Sequence, residues 1–130
     1  MLELLFDCRH RVMLCRFSNR MTPEDLRRLD AEGRAFAARE GSVRGIVDFT
    51  DVTVVDIPTS VIADLGRVQP MMGQQAERVF VVPRPELFGL GRLYAAYQRS
   101  GGNAEPRLVA TMAEAYAVYD LHDPDFQPLP

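Results

Sequence analysis

Carboxylates and hydroxyls are concentrated in the middle of the chain, which gives this stretch the clearest prospect of chemistry. Asp48, Asp51 and Asp56 follow one another at short intervals, and Thr59 and Ser60 come directly after them. Carboxylates spaced so closely can bind a divalent cation. More often such residues satisfy loop amides and cap helices, so we predict structural roles for Asp51 and Asp56 and no metal site.

A strand, a loop and a helix would have to position these groups. Residues 43–49 are predicted to form the central strand of a sheet, and a helix is predicted to begin near Pro58 with Asp56 as its cap. An inner strand that feeds a helix brings the loop between them to the carboxyl edge of the sheet, where open α/β folds keep their binding sites. We therefore expect the functional surface to lie within residues 50–60.

No arrangement typical of an enzyme accompanies this stretch. His10 lies in a predicted turn and His122 near the end of the chain, and neither belongs to an acid–serine or cysteine arrangement. The glycines of residues 88–92 (FGLGR) follow a helix start and lack the GxGxxG spacing, which favours close helix packing over nucleotide binding. We therefore expect no enzymatic activity, no catalytic residues and no cofactor.

The composition is that of an ordinary globular chain. Its 130 residues suit one domain, and 47% of them are hydrophobic. The chain has 18 acidic residues and 15 basic ones, and every basic residue is an arginine, which gives a net charge of -3. No basic block offers a nucleic-acid footprint, and no run resembles a membrane helix or a signal peptide. Because Cys8 and Cys15 belong to no CxxC pair, we expect free thiols and a cytoplasmic location.

The order of the predicted elements indicates an α/β fold. Two apolar runs at residues 2–6 and 12–17 form a β-hairpin, after which helices and strands alternate. Alternation implies right-handed crossovers and a mostly parallel mixed sheet of about five strands with an N-terminal β-hairpin and about four helices. We assign residues 1–121 to this domain and residues 122–130 to a loosely ordered C-terminal tail.

The same segments resemble a known family. Residues 46–67, a strand and helix around the acidic stretch, resemble the STAS domain of anti-sigma factor antagonists. Residues 77–83 (ERVFVVP), 87–92 (LFGLGR) and 111–115 (TMAEA) are similar to the SpoIIAA-like branch of that superfamily. The resemblance extends to Leu121. It implies a STAS/SpoIIAA-like fold and a regulatory, non-enzymatic role in binding a protein partner, such as a kinase or a sigma-factor regulator.

The resemblance also implies a site. In the antagonists a serine in an Asp-Ser-Ser-Gly segment at this helix start is phosphorylated by a partner kinase, and this chain has DIPTS at residues 56–60. Aligned from Asp56, the phosphorylated position falls on Pro58, which accepts no phosphate. Aligned back from the helix end, it falls on Thr59. The expected phosphorylation or partner-binding residues are Thr59, Ser60, Asp56 and Asp51.

A different class of function stays open beside this one. The chain would bind or carry a small apolar or anionic ligand at the carboxyl edge, with Asp56, Thr59, Arg84 and Arg92 as polar contacts around an apolar pocket. An enclosed pocket of several hundred cubic ångströms, on the order of 300 or more, would favour this hypothesis, whereas a flat exposed apolar patch would favour a protein partner. The predicted helix after Pro85 also carries more apolar surface than one sheet face needs, so we expect a homodimer.

Overall fold

A computed structural model of the chain describes residues 1–129 and contains strands and helices in the predicted alternation. The elements in chain order are β1 (Leu2–Asp7), β2 (Val12–Met21), α1 (Pro23–Glu40), β3 (Arg44–Val55), α2 (Thr59–Gly66), β4 (Arg78–Val81), α3 (Pro85–Ser100), β5 (Arg107–Val109), α4 (Met112–Val118) and β6 (Gln127–Pro128). None of these described helices is long and apolar enough to cross a membrane.

The strands form one mixed sheet in the order β5-β4-β3-β2-β1-β6. Neighbours from β2 to β5 run parallel, whereas β1 is antiparallel to both β2 and β6. The predicted α/β fold, with its N-terminal hairpin, mostly parallel sheet and four helices, is therefore confirmed. The sheet has six strands rather than about five, because β6 adds a short edge strand beside β1.

The strand order decides which face each helix covers. From β2 to β5 each strand is added on the same side of its predecessor, so right-handed crossovers place α1, α2 and α3 on one face. Side chains of that face, including Met13, Phe17 and Val47, form the larger core with Phe36 of α1 and Leu87 of α3. The smaller α4 covers the opposite face, where a second apolar cluster lies.

Threonine side chains cap the first and the last helix. Thr22 Oγ1 accepts a hydrogen bond from the Asp25 amide at 3.3 Å, and Asp25 accepts one from the Thr22 amide at 3.1 Å, which completes a capping box for α1. Thr111 caps α4 by accepting from the Glu114 amide at 3.1 Å. These hydrogen bonds satisfy amides that an α-helix leaves without internal partners.

The central strand is longer than the sequence pattern indicates. Residues 50–55, expected to be a loop, continue β3 to Val55 and pair with the end of β2. A bulge interrupts the register here, because Arg16 pairs with Asp48 and Ser18 with Asp51, leaving two residues opposite Phe17. The bulge shifts the alternation by one position, so Val52 is buried where a regular strand would turn it outward.

The segment predicted to be a loosely ordered tail packs against β1 in its described part. Gln127 and Pro128 pair with Phe6 and Leu5, and the Asp125 amide donates to Asp7 at 2.7 Å. Burying Asp7 requires partners for its carboxylate, and the tail supplies one of them. Pro130 lies outside the described residues.

Candidate functional site

The residues predicted for phosphorylation or partner binding lie along the carboxyl end of β3 and the start of α2. Asp51 is an exposed strand residue paired with Ser18, and Thr59 and Ser60 form the exposed first turn of α2. A strand rises about 3.3 Å per residue, which puts Asp51 roughly 16 Å from Asp56 along the chain. The predicted residues therefore line one edge of the sheet without converging on a point.

The expectation that Asp56 caps α2 is wrong. Pro58 occupies the N-cap position, and no side chain among the described residues caps this helix. Asp56 instead accepts hydrogen bonds from Arg20 Nε and Nη2 at 3.1 and 2.8 Å, an exposed pair that joins the ends of β2 and β3. Because β3 runs on to Val55, the Asp56 carboxylate meets the neighbouring strand before the chain turns into the helix.

Asp48 is the buried member of the acidic stretch, with 4% of its surface exposed. Its Oδ1 accepts from the Thr50 amide at 2.9 Å and from the Thr50 hydroxyl, and its Oδ2 lies 3.6 Å from Arg16 Nε. Among residues 1–129, no three His, Cys, Asp or Glu side chains come together in a way that could hold a metal ion. Extending the strand separates the carboxylates that the sequence places close together.

Asp7 is a second buried carboxylate, with 1% exposure, for which no sequence pattern predicts a role. Burial tends to raise its pKa, but hydrogen bonds from the His10 and Asp125 amides and the nearby His10 ring lower it below the ordinary value. The charged carboxylate joins the β1–β2 turn to the end of the chain. Its contacts are all internal, which indicates a structural role.

The clearest concave feature is a cavity of about 170 Å³ between the sheet and helices α1, α2 and α3. We call it the α1–α3 cavity. It is lined by side chains such as Val47 and Val82 of the sheet region, Leu29 of α1, Ile62 of α2 and Leu90 of α3. Among the described residues that line it, those with polar side chains are Asp30, Gln69, Arg78 and Tyr94. The cavity is therefore suited to apolar matter.

Four aromatic rings run along one wall of the cavity. Phe17 of β2 stacks on Phe49 of β3 with centroids 5.4 Å apart, and Phe49 meets Phe80 of β4 edge-on at 5.7 Å. Phe80 stacks on Tyr94 of α3 at 5.6 Å. The bulge that leaves two β3 residues opposite Phe17 sits at the start of this row. Such contacts fix the orientation of the rings, so the wall is built before any ligand arrives.

Arg78 lies at the end of the aromatic row and also lines the cavity. Its Nη1 donates to the Tyr94 hydroxyl at 2.8 Å, and its Nη2 donates to Gln98 Oε1 at 3.2 Å and to the Ala104 carbonyl at 2.5 Å. Its Nε is buried and has no hydrogen-bond partner in the described part of the chain. A buried donor without an acceptor is rare in folded proteins and calls for an explanation.

Gln98 holds the other side of this arrangement. The side chain is fully buried, and its Nε2 donates to the carbonyls of Gly66 and Val68 at 2.5 and 2.9 Å. It thereby satisfies carbonyls at the end of α2 while its Oε1 accepts from Arg78. The position of the guanidinium is thus set by α3, by the loop before β5 and, through Gln98, by α2.

The residues predicted to contact a ligand all lie outside the lining of this cavity: Asp56, Thr59, Arg84 and Arg92. Arg84 donates to the Val52 carbonyl and to Glu86 at 3.0 Å, which ties the start of α3 to the extended part of β3. Arg92 is exposed, with its guanidinium 5.9 Å from the centre of the Phe88 ring. The structure therefore separates the predicted polar contacts from the apolar space.

The sequence did contain a signal for Arg78. In residues 78–82 every second side chain lies on one face, so Arg78 shares its face with Phe80 and Val82. An arginine in phase with core residues at the start of a buried strand indicates a cation next to the core. Tyr94 of α3 lines the cavity, and its hydroxyl is the polar group that the arginine meets.

Comparison with protein-family models and with curated proteins finds no match to this chain.

Proposed function

We propose that this chain is a non-enzymatic binding domain whose primary role is to hold a small apolar ligand in the α1–α3 cavity. The observation that carries the proposal is the cavity of about 170 Å³ with its row of four aromatic rings. Protein interiors are close-packed and contain few spaces larger than a water molecule, so an apolar space of this size beside the core is a candidate ligand site. A ligand would restore the dispersion contacts that the lining residues lack.

The size of the cavity limits the ligand. An engineered apolar cavity of about 150 Å³ stays dry and binds benzene. The α1–α3 cavity, at about 170 Å³, is comparable with that engineered cavity and smaller than the pocket of about 300 Å³ or more expected of a carrier. It therefore suits one aromatic ring or a short alkyl chain. Met21 and Met71 also line it, and their flexible side chains can adapt to an irregular occupant.

The test is a cavity-filling substitution with a matched control on the same helix. Leu90 lines the cavity, whereas Leu93, similarly half-buried on α3, does not. Octan-1-ol and octanoate are titrated into the protein while amide chemical shifts are followed by NMR. We expect at least one probe to change the amide chemical shifts of Phe49, Phe80 and Tyr94. We also expect Leu90→Phe to weaken that binding by about tenfold, because the added ring occupies the ligand's space.

Leu93→Phe should leave the affinity within about twofold, because the added ring lies outside the cavity. Equal weakening by both substitutions would attribute the effect to general destabilisation of α3. Absence of binding by either probe at millimolar concentration would contradict the proposed function.

The start of α2 favours a second candidate function, the binding of a protein partner. Thr59 and Ser60 are exposed, and no described side chain caps the helix amides beside them. A phosphoryl group there would gain about 0.3–1 kcal/mol from the helix dipole, although repulsion from Asp56 would offset part of it. This arrangement supports, as a proposal, the regulatory role and phosphorylation implied by the STAS resemblance.

The second candidate is tested by capturing partners from the protein's own cells with tagged wild type, Thr59→Ala and Thr59→Glu. We expect at least one substitution to change which partners are recovered, because the two remove the hydroxyl and one adds a negative charge. Ser100→Glu, at the far end of α3, is the control for added charge. Recovery of the same partners by both Thr59 variants, with loss in variants elsewhere on the surface, would contradict the site.

A further inference from the structure

We propose that the ligand of the α1–α3 cavity is an apolar monocarboxylic acid whose carboxylate binds Arg78. The inference rests on the ligand-binding role proposed above and names the chemical class of the ligand. Its starting point is the combination of an apolar cavity with one arginine in its lining that lacks an acidic partner.

The charge of Arg78 is not balanced within the described residues. An arginine stays protonated at any physiological pH. Ion pairs with N···O separations up to 4.0 Å join thirteen pairs of groups in residues 1–129, and none includes Arg78. Asp30, the acid in the cavity lining, is already paired with Arg34 at 3.0 Å. A cation beside apolar surface is unfavourable unless an anion joins it.

The hydrogen bonds of Arg78 leave one position for that anion. Nη1 and Nη2 donate to neutral oxygens of Tyr94, Gln98 and Ala104, so they hold the guanidinium in place without neutralising it. Nε is buried and has no acceptor. Nε has no surface exposed to the cavity, so a carboxylate oxygen reaches it only when the surrounding side chains shift. There it would supply both the missing acceptor and the missing charge, and hydrogen bonds between ionised groups are the stronger kind.

The other residues that line the cavity indicate the charge of the ligand and the nature of its apolar part. Arg78 is its one cation among the described residues, which favours a single negative charge over a dianion such as a phosphate monoester. The row from Phe17 to Tyr94 leads away from the arginine and offers carbon and aromatic surface. An acid with its carboxylate at Arg78 and a short alkyl chain or one ring along this row matches both parts.

The experiment compares octanoate with octan-1-ol, which share an alkyl chain and differ in the head group. An apolar cavity without a free cation would prefer the alcohol, because dehydrating a carboxylate is costly. We expect wild type to bind octanoate at least about tenfold more tightly than octan-1-ol by calorimetry at neutral pH. This comparison needs no variant, so it stands even if substitutions at Arg78 impair folding.

The matched variants are Arg78→Met and Arg44→Met. Arg44 is also half-buried at the start of a strand and outside the ion pairs. Both guanidinium groups lie over a tyrosine ring, that of Arg78 at 5.7 Å from Tyr94 and that of Arg44 at 4.6 Å from Tyr119 on the opposite face. We expect Arg78→Met to abolish the preference for octanoate while binding octan-1-ol within about twofold of wild type. Arg44→Met should keep the wild-type preference.

Each outcome decides between the two proposals. If wild type binds octan-1-ol as tightly as octanoate, the proposal of a carboxylic acid ligand is wrong, whereas the proposal of an apolar ligand is unaffected. If the octanoate preference survives Arg78→Met, Arg78 is not its cause. If neither probe binds at millimolar concentration, the ligand-binding role fails and this inference fails with it.

Discussion

The buried Asp7 and the half-buried Arg78 differ in how far the fold balances their charges. Asp7 receives three hydrogen bonds, from the His10 amide, the His10 ring and the Asp125 amide, at 2.7–3.1 Å. Arg78 has neutral acceptors for two of its nitrogens and none for Nε. A charge whose partners are all internal stabilises the fold, whereas a charge that lacks one is suited to bind something from outside.

The lowered pKa of Asp7 predicts how the free energy of unfolding depends on pH. Its pKa is lower in the folded protein than the ordinary 3.8, so the unfolded chain binds its proton more readily. The resulting stability is present above that ordinary value and is lost as the pH falls through the folded pKa. We expect Asp7→Asn to lower the free energy of unfolding by about 1–3 kcal/mol at pH 7. The deficit should shrink as the pH falls below 3.8.

Urea denaturation of both proteins between neutral pH and pH about 2 measures this dependence. Asp64→Asn is the control, because its exposed carboxylate pairs with Arg67, at 3.3 Å at the end of the same helix, and should contribute little at any pH. A deficit for Asp7→Asn that is equally large in acid and at neutral pH would contradict the assignment.

At the scale of elements, the backbones of helices α2 and α3 approach each other closely at Gly66. A Cβ atom added to Gly66 would lie 2.5 Å from Tyr97 Cβ and 3.3 Å from the Tyr94 carbonyl. The backbones can approach this closely only because position 66 has no side chain. The contact also brings the Gly66 carbonyl within reach of Gln98, so it contributes to the position of Arg78.

We expect opposite effects from two glycine-to-alanine substitutions. Gly66→Ala should destabilise the protein by about 1–3 kcal/mol, because backbone and a Cβ atom cannot move aside easily. Gly89→Ala on α3 has no atom within 4 Å of the new methyl, so it should stabilise by up to about 1 kcal/mol through helix propensity. Melting temperatures measure both, and equal shifts would contradict the close approach of α2 and α3.

The bulge in β3 shows where sequence patterns stop predicting elements. Residues 52–55 (VTVV) are rich in β-branched side chains, which favour a strand. The alternation that identifies a strand breaks at Phe49, because two residues there oppose Phe17. The alternation therefore predicts a strand end at Phe49, although β3 continues to Val55 with its inward and outward positions exchanged. The wrong prediction that Asp56 caps α2 has the same cause, since a strand that ended at Phe49 would leave that carboxylate free to reach the helix.

At the scale of the whole molecule, the fold was predictable because strong local signals and chain-order rules agree. Thr22 and Thr111 mark helix starts by capping, and alternation of elements implies a parallel sheet. The cavity was not predictable in this way. It depends on how α1, α2 and α3 sit above the sheet, and neither spacing nor composition specifies the gap left between packed elements. Arg78 was overlooked because its role depends on that gap.

The two faces of the sheet also place the two thiols in different surroundings. Cys15 lies in the core under α1–α3, where burial raises the pKa of its thiol to about 12, whereas Cys8 is exposed in the β1–β2 turn. Thiolates react and thiols do not, so a maleimide dye should attach at Cys8 alone in the folded protein. The chain contains no lysine and no tryptophan. The unaltered protein therefore accepts one defined fluorescent label against a dark background, which suits it to single-molecule measurements without prior engineering.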